Sequence, residues 1–221
     1  VTYGGNLNKR KIWSIIIICS DVLGLLTFWR NFVWKDSIIL WKDTLKKNQF
    51  NYRAHYNIGN AYLREGSRDK AIEHYKRVID IRPNFANVYV NLGIAHTSRG
   101  NMREVMELFE TAIDIKPDHP EAHYNLGKAY QLEGFLDKSV EHYKIAIDIK
   151  PNYPEAHLNL GAAYHSQGLM DQAIQHYRIV IELDPDSRDA HFNLGKAYEL
   201  MGLTEAARKE LAISKRLRLK K

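Results

Sequence analysis

At 221 residues, with 45% apolar and 26% charged residues, the chain has the composition of a folded protein rather than a disordered one. Its single cysteine, Cys19, excludes an internal disulfide framework and any cysteine-based zinc site. The net charge of +6 does not mark a nucleic-acid binder: residues 1–51 hold eight Lys/Arg against three Asp/Glu and residues 52–221 hold 24 against 23, so the body lacks the basic stripe that phosphates need.

In chain order, the first element is a basic segment, residues 1–11, ending in Lys9, Arg10 and Lys11. An apolar run, IWSIIIICSDVLGLLTFW, fills residues 12–29. Its length is at the lower limit for a bilayer span, and Trp13 and Trp29 stand at its two ends as interfacial aromatics do. Asp21 near its centre costs roughly 2.5–3.5 kcal/mol on an insertion scale, against a few tenths returned by each Ile or Leu. No A-x-A cleavage site follows, which sets the run apart from a signal peptide. The expectation is a transmembrane helix over 12–30, with the membrane as one partner of residues 12–29. Orientation is open, because Arg30, Lys35, Lys42, Lys46 and Lys47 oppose the basic residues before the run.

From Tyr52 onward the chain repeats itself. The segments HYNIGNAYLREG, YVNLGIAHTSRG, HYNLGKAYQLEG, HLNLGAAYHSQG and HFNLGKAYELMG begin at 55, 89, 123, 157 and 191, always 34 residues apart. They define five units, 52–85, 86–119, 120–153, 154–187 and 188–221. Unit position 8 is Gly59, Gly93, Gly127, Gly161 and Gly195, and position 15 is Gly66, Gly100, Gly134, Gly168 and Gly202. Position 24 is Tyr75, Phe109, Tyr143, Tyr177 and Leu211; position 32 is Pro83, Pro117, Pro151 and Pro185, then Leu219. A glycine at position 8 lets a partner helix approach, and one at position 15 can end a helix in the left-handed region. The prolines stop each second helix, and Pro120 and Pro154 suit the first turn of the next.

This period and these residues resemble the tetratricopeptide repeat over 170 of the 221 residues. The resemblance implies an all-α fold: a right-handed superhelical solenoid of helical hairpins, preceded by one membrane-type helix. Extending the register back one unit puts Ser37 at position 20, Trp41 at 24, Thr44 at 27 and Gln49 at 32. Residues 34–51 are therefore expected as a half-repeat cap helix.

In the repeat family the first helix of each hairpin lines a concave groove. Position 6 is Asn57, Asn91, Asn125, Asn159 and Asn193, which predicts a ladder of amides able to hold an extended peptide by its backbone. A similar ladder lines the repeats of the nucleocytoplasmic O-GlcNAc transferases; the plainer reading is that asparagine is simply common there. Tyr56, Tyr124 and Phe192 at position 5, and Asn60, Lys128 and Lys196 at position 9, complete the candidate peptide-binding groove. A carboxylate clamp would need Lys or Arg at position 6, where there is none.

Ten histidines raise the question of metal or acid–base chemistry. Seven recur at position 4 (His55, His123, His157, His191) or position 23 (His74, His142, His176), so they belong to the packing pattern. His119 and His123 are separated by Pro120 and lack spaced Cys or carboxylate ligands. No HExxH, phosphate loop or nucleophile elbow is present. No catalytic residue, metal or cofactor is expected, and the chain as given is expected not to be an enzyme.

The junction TFWRNFVWKDSIILW, residues 27–41, resembles the end of the membrane domain in transmembrane-and-tetratricopeptide-repeat O-mannosyltransferases and their bacterial relatives. That resemblance implies repeats on the extracytoplasmic side and an Asp21 facing helices that this chain lacks. The leading expectation is a membrane-tethered scaffold binding extended protein segments. The alternatives are the substrate-recruiting tail of a multi-span glycosyltransferase and a soluble adaptor. The basic end, residues 215–221, reads as a solvated helix end or a contact with anionic lipid.

Overall fold

A computed structural model describes residues 38–97 and 100–219. The expected basic segment and membrane span, with Cys19 and Asp21, lie outside the described residues, as does the start of the cap helix. Among the described residues no helix is long and apolar enough to cross a membrane.

Every regular element among the described residues is an α-helix. Helix α1 covers residues 38–47. It is followed by α2 (Tyr52–Arg64), α3 (Arg68–Ile81), α4 (Ala86–His96), α5 (Met102–Ile115), α6 (Pro120–Leu132), α7 (Leu136–Ile149), α8 (Pro154–Ser166), α9 (Met170–Leu183), α10 (Arg188–Leu200) and α11 (Thr204–Arg218). They pair as five hairpins: α2 with α3, α4 with α5, α6 with α7, α8 with α9, and α10 with α11.

The turn inside each hairpin is set by its glycine. Gly134, with φ +83°, takes the left-handed region. The Phe135 amide then donates to the Tyr130 carbonyl at 2.9 Å and the Gly134 amide to Gln131 at 3.1 Å. This double closure uses carbonyls that the helix end leaves unpaired. At the other end, Pro120 and Pro154 open α6 and α8, where a missing N–H costs nothing. Asn51 caps α2 by accepting from the Ala54 amide at 3.1 Å.

Between the helices of each hairpin, small residues meet one large one. Tyr75, Phe109, Tyr143 and Tyr177 are buried against the position-8 glycines. A Cβ on Gly93 would sit 2.5 Å from the Phe109 ring, closer than any real contact. Close helix approach therefore depends on that glycine.

The chain divides into two compact units, one ending at Ile81 and one from Arg82. In the first, Lys42 of α1 lies over the Tyr62 ring of α2, 5.9 Å from its centre. In the second, each hairpin joins the next through its second helix: α5 meets α6, α7 meets α8, and α9 meets α10. The first helices also touch in succession, α4 with α6, α6 with α8 and α8 with α10. The second unit is thus a solenoid whose first helices line up along one side.

Candidate peptide-binding groove

The position-6 asparagines of α2, α4, α6, α8 and α10 border the packed face of their helices, one residue before the buried Leu or Ile, and all five are half-buried. Their amides differ in setting. The Asn125 side chain donates to the Glu121 carbonyl of its own helix at 2.7 Å. Asn159 of α8 instead donates to the Tyr124 hydroxyl of α6 at 3.1 Å, bridging neighbouring hairpins. The amides therefore do not form a uniform ladder: a bond across hairpins needs a hydroxyl at position 5, and Leu158 offers none to Asn193.

Around Asn159 the groove is aromatic. The Tyr124 ring lies 5.1 Å from that of Tyr153 and 6.0 Å from that of Tyr143. Burial first, and then the Glu155 carboxylate, pushes the Tyr124 hydroxyl up from its ordinary value, so it is a neutral hydroxyl at physiological pH. Burial likewise raises Tyr143 and Tyr153. Exposed Lys128 stands over the Tyr124 ring at 5.6 Å. Further along, Phe192 is 46% exposed, enough to serve as an apolar anchor. Exposed Lys196 pairs with Glu199 at 2.8 Å. In the first unit, half-buried Tyr56 and Asn57 adjoin Asn60, which accepts from the Tyr75 hydroxyl at 2.8 Å. Buried Tyr153 and exposed Glu155 act on Tyr124 from outside positions 5, 6 and 9, where the sequence analysis took its candidates, and Tyr143, the position-24 packing residue, supports the ring from the core. Ser187 and Asp189, the period-mates of Tyr153 and Glu155, gave no separate signal.

Six of the histidines form three local pairs rather than meeting at a common centre. Those of positions 4 and 23 face one another across the first, third and fourth hairpins. His119 and His123 go to different partners, His119 Nδ1 lying 3.2 Å from Glu121 and His123 Nδ1 facing His142. His96 lies 3.2 Å from Glu104; like His119, it is buried near its carboxylate without hydrogen-bond alignment. Among the described residues no three His, Cys, Asp or Glu side chains converge as a metal site would require.

A family model described as TPR repeat matches residues 59–100, 95–134, 132–168 and 163–202, more than half of the chain. The chain belongs to the tetratricopeptide repeat family. No curated protein matches it. Among solved structures, the tetratricopeptide repeats here are similar to the crystal structure of MamA, with a TM-score of 0.66 and 28% identity over 74% of this chain and 95% of that one. MamA from Desulfovibrio magneticus RS-1 gives 0.68 and 20% over 77% and 96%. YrrB, described as a TPR protein with an unusual peptide-binding site, gives 0.64 and 20% over 80% and 91%. The last two likenesses speak to the fold alone.

Proposed function

We propose that this chain is a membrane-tethered tetratricopeptide repeat scaffold that binds an extended protein segment along the first helices of its hairpins. The observation that carries the reading is the row of half-buried asparagines on successive touching helices, α4, α6, α8 and α10. An extended backbone presents donors and acceptors at regular intervals, and primary amides answer both. Tyr124 and Phe192 supply apolar anchors, and Lys128 and Lys196 add charge at the rim. In the first unit Asn57 and Tyr56 supply the amide and the apolar anchor, and uncharged Asn60 stands at position 9. That YrrB is described as having a peptide-binding site fits this use of the fold.

The tether is the apolar run at 12–29. The segment TFWRNFVWKDSIILW favours a second reading, in which the repeats are the extracytoplasmic, substrate-recruiting tail of an O-mannosyltransferase-like membrane enzyme. A soluble adaptor is the third.

A peptide selected on the purified chain from a random library tests the groove. Asn125→Ala, Asn159→Ala and Asn193→Ala together should weaken that peptide at least tenfold, since each lost hydrogen bond is worth about 0.5–1.5 kcal/mol. Unchanged affinity with unchanged helicity would put the binding surface elsewhere. Alkaline carbonate extraction tests the tether independently. Retention in the membrane pellet supports it, and protease digestion of sealed vesicles then reports the side of the repeats; release into the supernatant leaves the adaptor.

A further inference from the structure

Three of the five hairpins close with a pair of imidazoles. Nδ1 of His55 on α2 faces Nδ1 of His74 on α3 at 3.0 Å. The His123–His142 pair between α6 and α7 stands at 3.1 Å, and the His157–His176 pair between α8 and α9 at 2.9 Å. In each, Nε2 of the first histidine meets a backbone carbonyl: Gln49 at 3.1 Å, Pro117 at 3.0 Å, Pro151 at 3.0 Å.

Those carbonyls decide where the hydrogens are. A carbonyl only accepts, so Nε2 carries the hydrogen and the neutral ring keeps Nδ1 as an acceptor. The hydrogen between the rings therefore sits on Nδ1 of His74, His142 or His176, an assignment made from the partners. One added proton can enter on the outer nitrogen of that second ring. A second has no place, because it would set N–H against N–H at the pair distance, 2.9 to 3.1 Å. Two imidazoles in an unfolded hairpin take up both.

The other two hairpins are closed differently. The second has Tyr89 and Leu108 at the same positions. In the fifth, His191 Nδ1 meets a Glu210 carboxylate oxygen at 2.6 Å, and its Nε2 meets the Pro185 carbonyl at 3.0 Å. A carboxylate only accepts, so a proton on His191 Nδ1 makes that bond instead of breaking it.

We infer that the imidazole pairs are acid-sensitive locks: below about pH 6, where free imidazoles charge, the first, third and fourth hairpins open more readily and the fifth does not follow.

The surroundings act in the same direction. Around His74 these are His55 and Tyr62 of α2, Lys42 of α1 and neighbouring Glu73. His142 faces His123 and the stacked Tyr130 ring of α6, with Glu141 and Lys138 on its own helix and Glu110 of α5 bonded to the Tyr130 hydroxyl. His176 faces His157 and the stacked Tyr164 ring of α8, and Lys144 of α7. Burial is the largest influence on all three, followed by the partner imidazole, and both oppose charge; Glu73 and Glu141 are the lesser opposing groups. His142 is lowered, and His74 and His176 are pushed down to about 4. A group lowered on folding contributes stability that is complete above its unfolded value, about 6.5, and is lost as pH falls towards the folded one. Acid therefore loosens these hairpins, and alkali does not.

Amide hydrogen exchange of the full chain, read by mass spectrometry between pH 7.5 and 5 and corrected for intrinsic exchange, tests this. Protection in α2, α3, α6, α7, α8 and α9 should fall about tenfold per pH unit below about 6 for each excluded proton, while α10 and α11 hold theirs. H142Q with H176Q should abolish the fall in α6 to α9, since an amide can donate to, or accept from, the first histidine. E210H should import it into α10 and α11. Uniform loss across all five hairpins, or an undiminished fall in the glutamine variant, would overturn the inference.

Discussion

Gly127 and Gly134 constrain the third hairpin for different reasons. A Cβ on Gly127 would stand 2.8 Å from two atoms of the Tyr143 ring and 3.2 Å from the Ser139 carbonyl oxygen, with little room to yield. Around Gly134 there is open space, but its φ of +83° is strained for any residue with a side chain. Gly127→Ala should therefore cost about 1–3 kcal/mol through overpacking. Gly134→Ala should cost about 1–2 kcal/mol through the backbone. Urea unfolding separates the mechanisms if each variant is combined with Tyr143→Ala: relief of ring contact can soften only the first. Equal responses in both backgrounds would refute the assignment. Both glycines were legible in the sequence, because each recurs at one unit position and its role depends on its own backbone or on one adjacent ring.

At the scale of the element, the hairpins exchange one kind of contact for another. In the first, Lys70 lies over the Tyr62 ring at 5.3 Å; in the third, Lys138 lies over Tyr130 at 5.1 Å. The second hairpin has His96 and Glu104 at the equivalent positions, 3.2 Å apart. Glu104→Lys alone sets a cation beside a buried histidine, whereas Glu104→Lys with His96→Tyr rebuilds the contact of the other hairpins. The double variant should recover about 0.5–1.5 kcal/mol over the sum of the singles in a denaturant cycle. Additive losses would mean the pair is not coupled. The sequence showed the histidines of positions 4 and 23 as a packing pattern but not as hydrogen-bonded pairs. Their partners lie nineteen residues apart, across a turn whose geometry brings them together. The asparagines follow the same logic: their recurrence was plain, but that Asn125 turns to its own helix and Asn159 to Tyr124 was not.

At the scale of the whole molecule, repeat proteins are stabilised by each hairpin's contact with its neighbours. The second helices of the first four hairpins carry apolar pairs at positions 27 and 28: Val78 and Ile79, Ala112 and Ile113, Ala146 and Ile147, Val180 and Ile181. The fifth carries Ser214 and Lys215, which with Arg188, Phe192, Leu211 and Arg218 line an open cleft of about 320 Å³. Ser214→Val with Lys215→Ile would give this face the chemistry of an internal junction. Light scattering after gel filtration should then show concentration-dependent self-association beyond that of the parent chain, because apolar faces of this kind seek cover. An unchanged mass across concentrations would show that Ser214 and Lys215 do not keep this face apart.

The sequence by itself determined the family, the all-helical hairpins and the places where chains turn and helices touch. Those features rest on short-range rules, the left-handed glycine, the helix-stopping proline and the small residue beneath a ring, repeated at one period until they are unmistakable. Only the tertiary structure decided which side chain meets which: the imidazole pairs, the His191–Glu210 closure and the separate settings of the groove amides. A hydrogen bond is made within a few tenths of an ångström, and two residues on different helices reach that range only once the packing of both has set their separation.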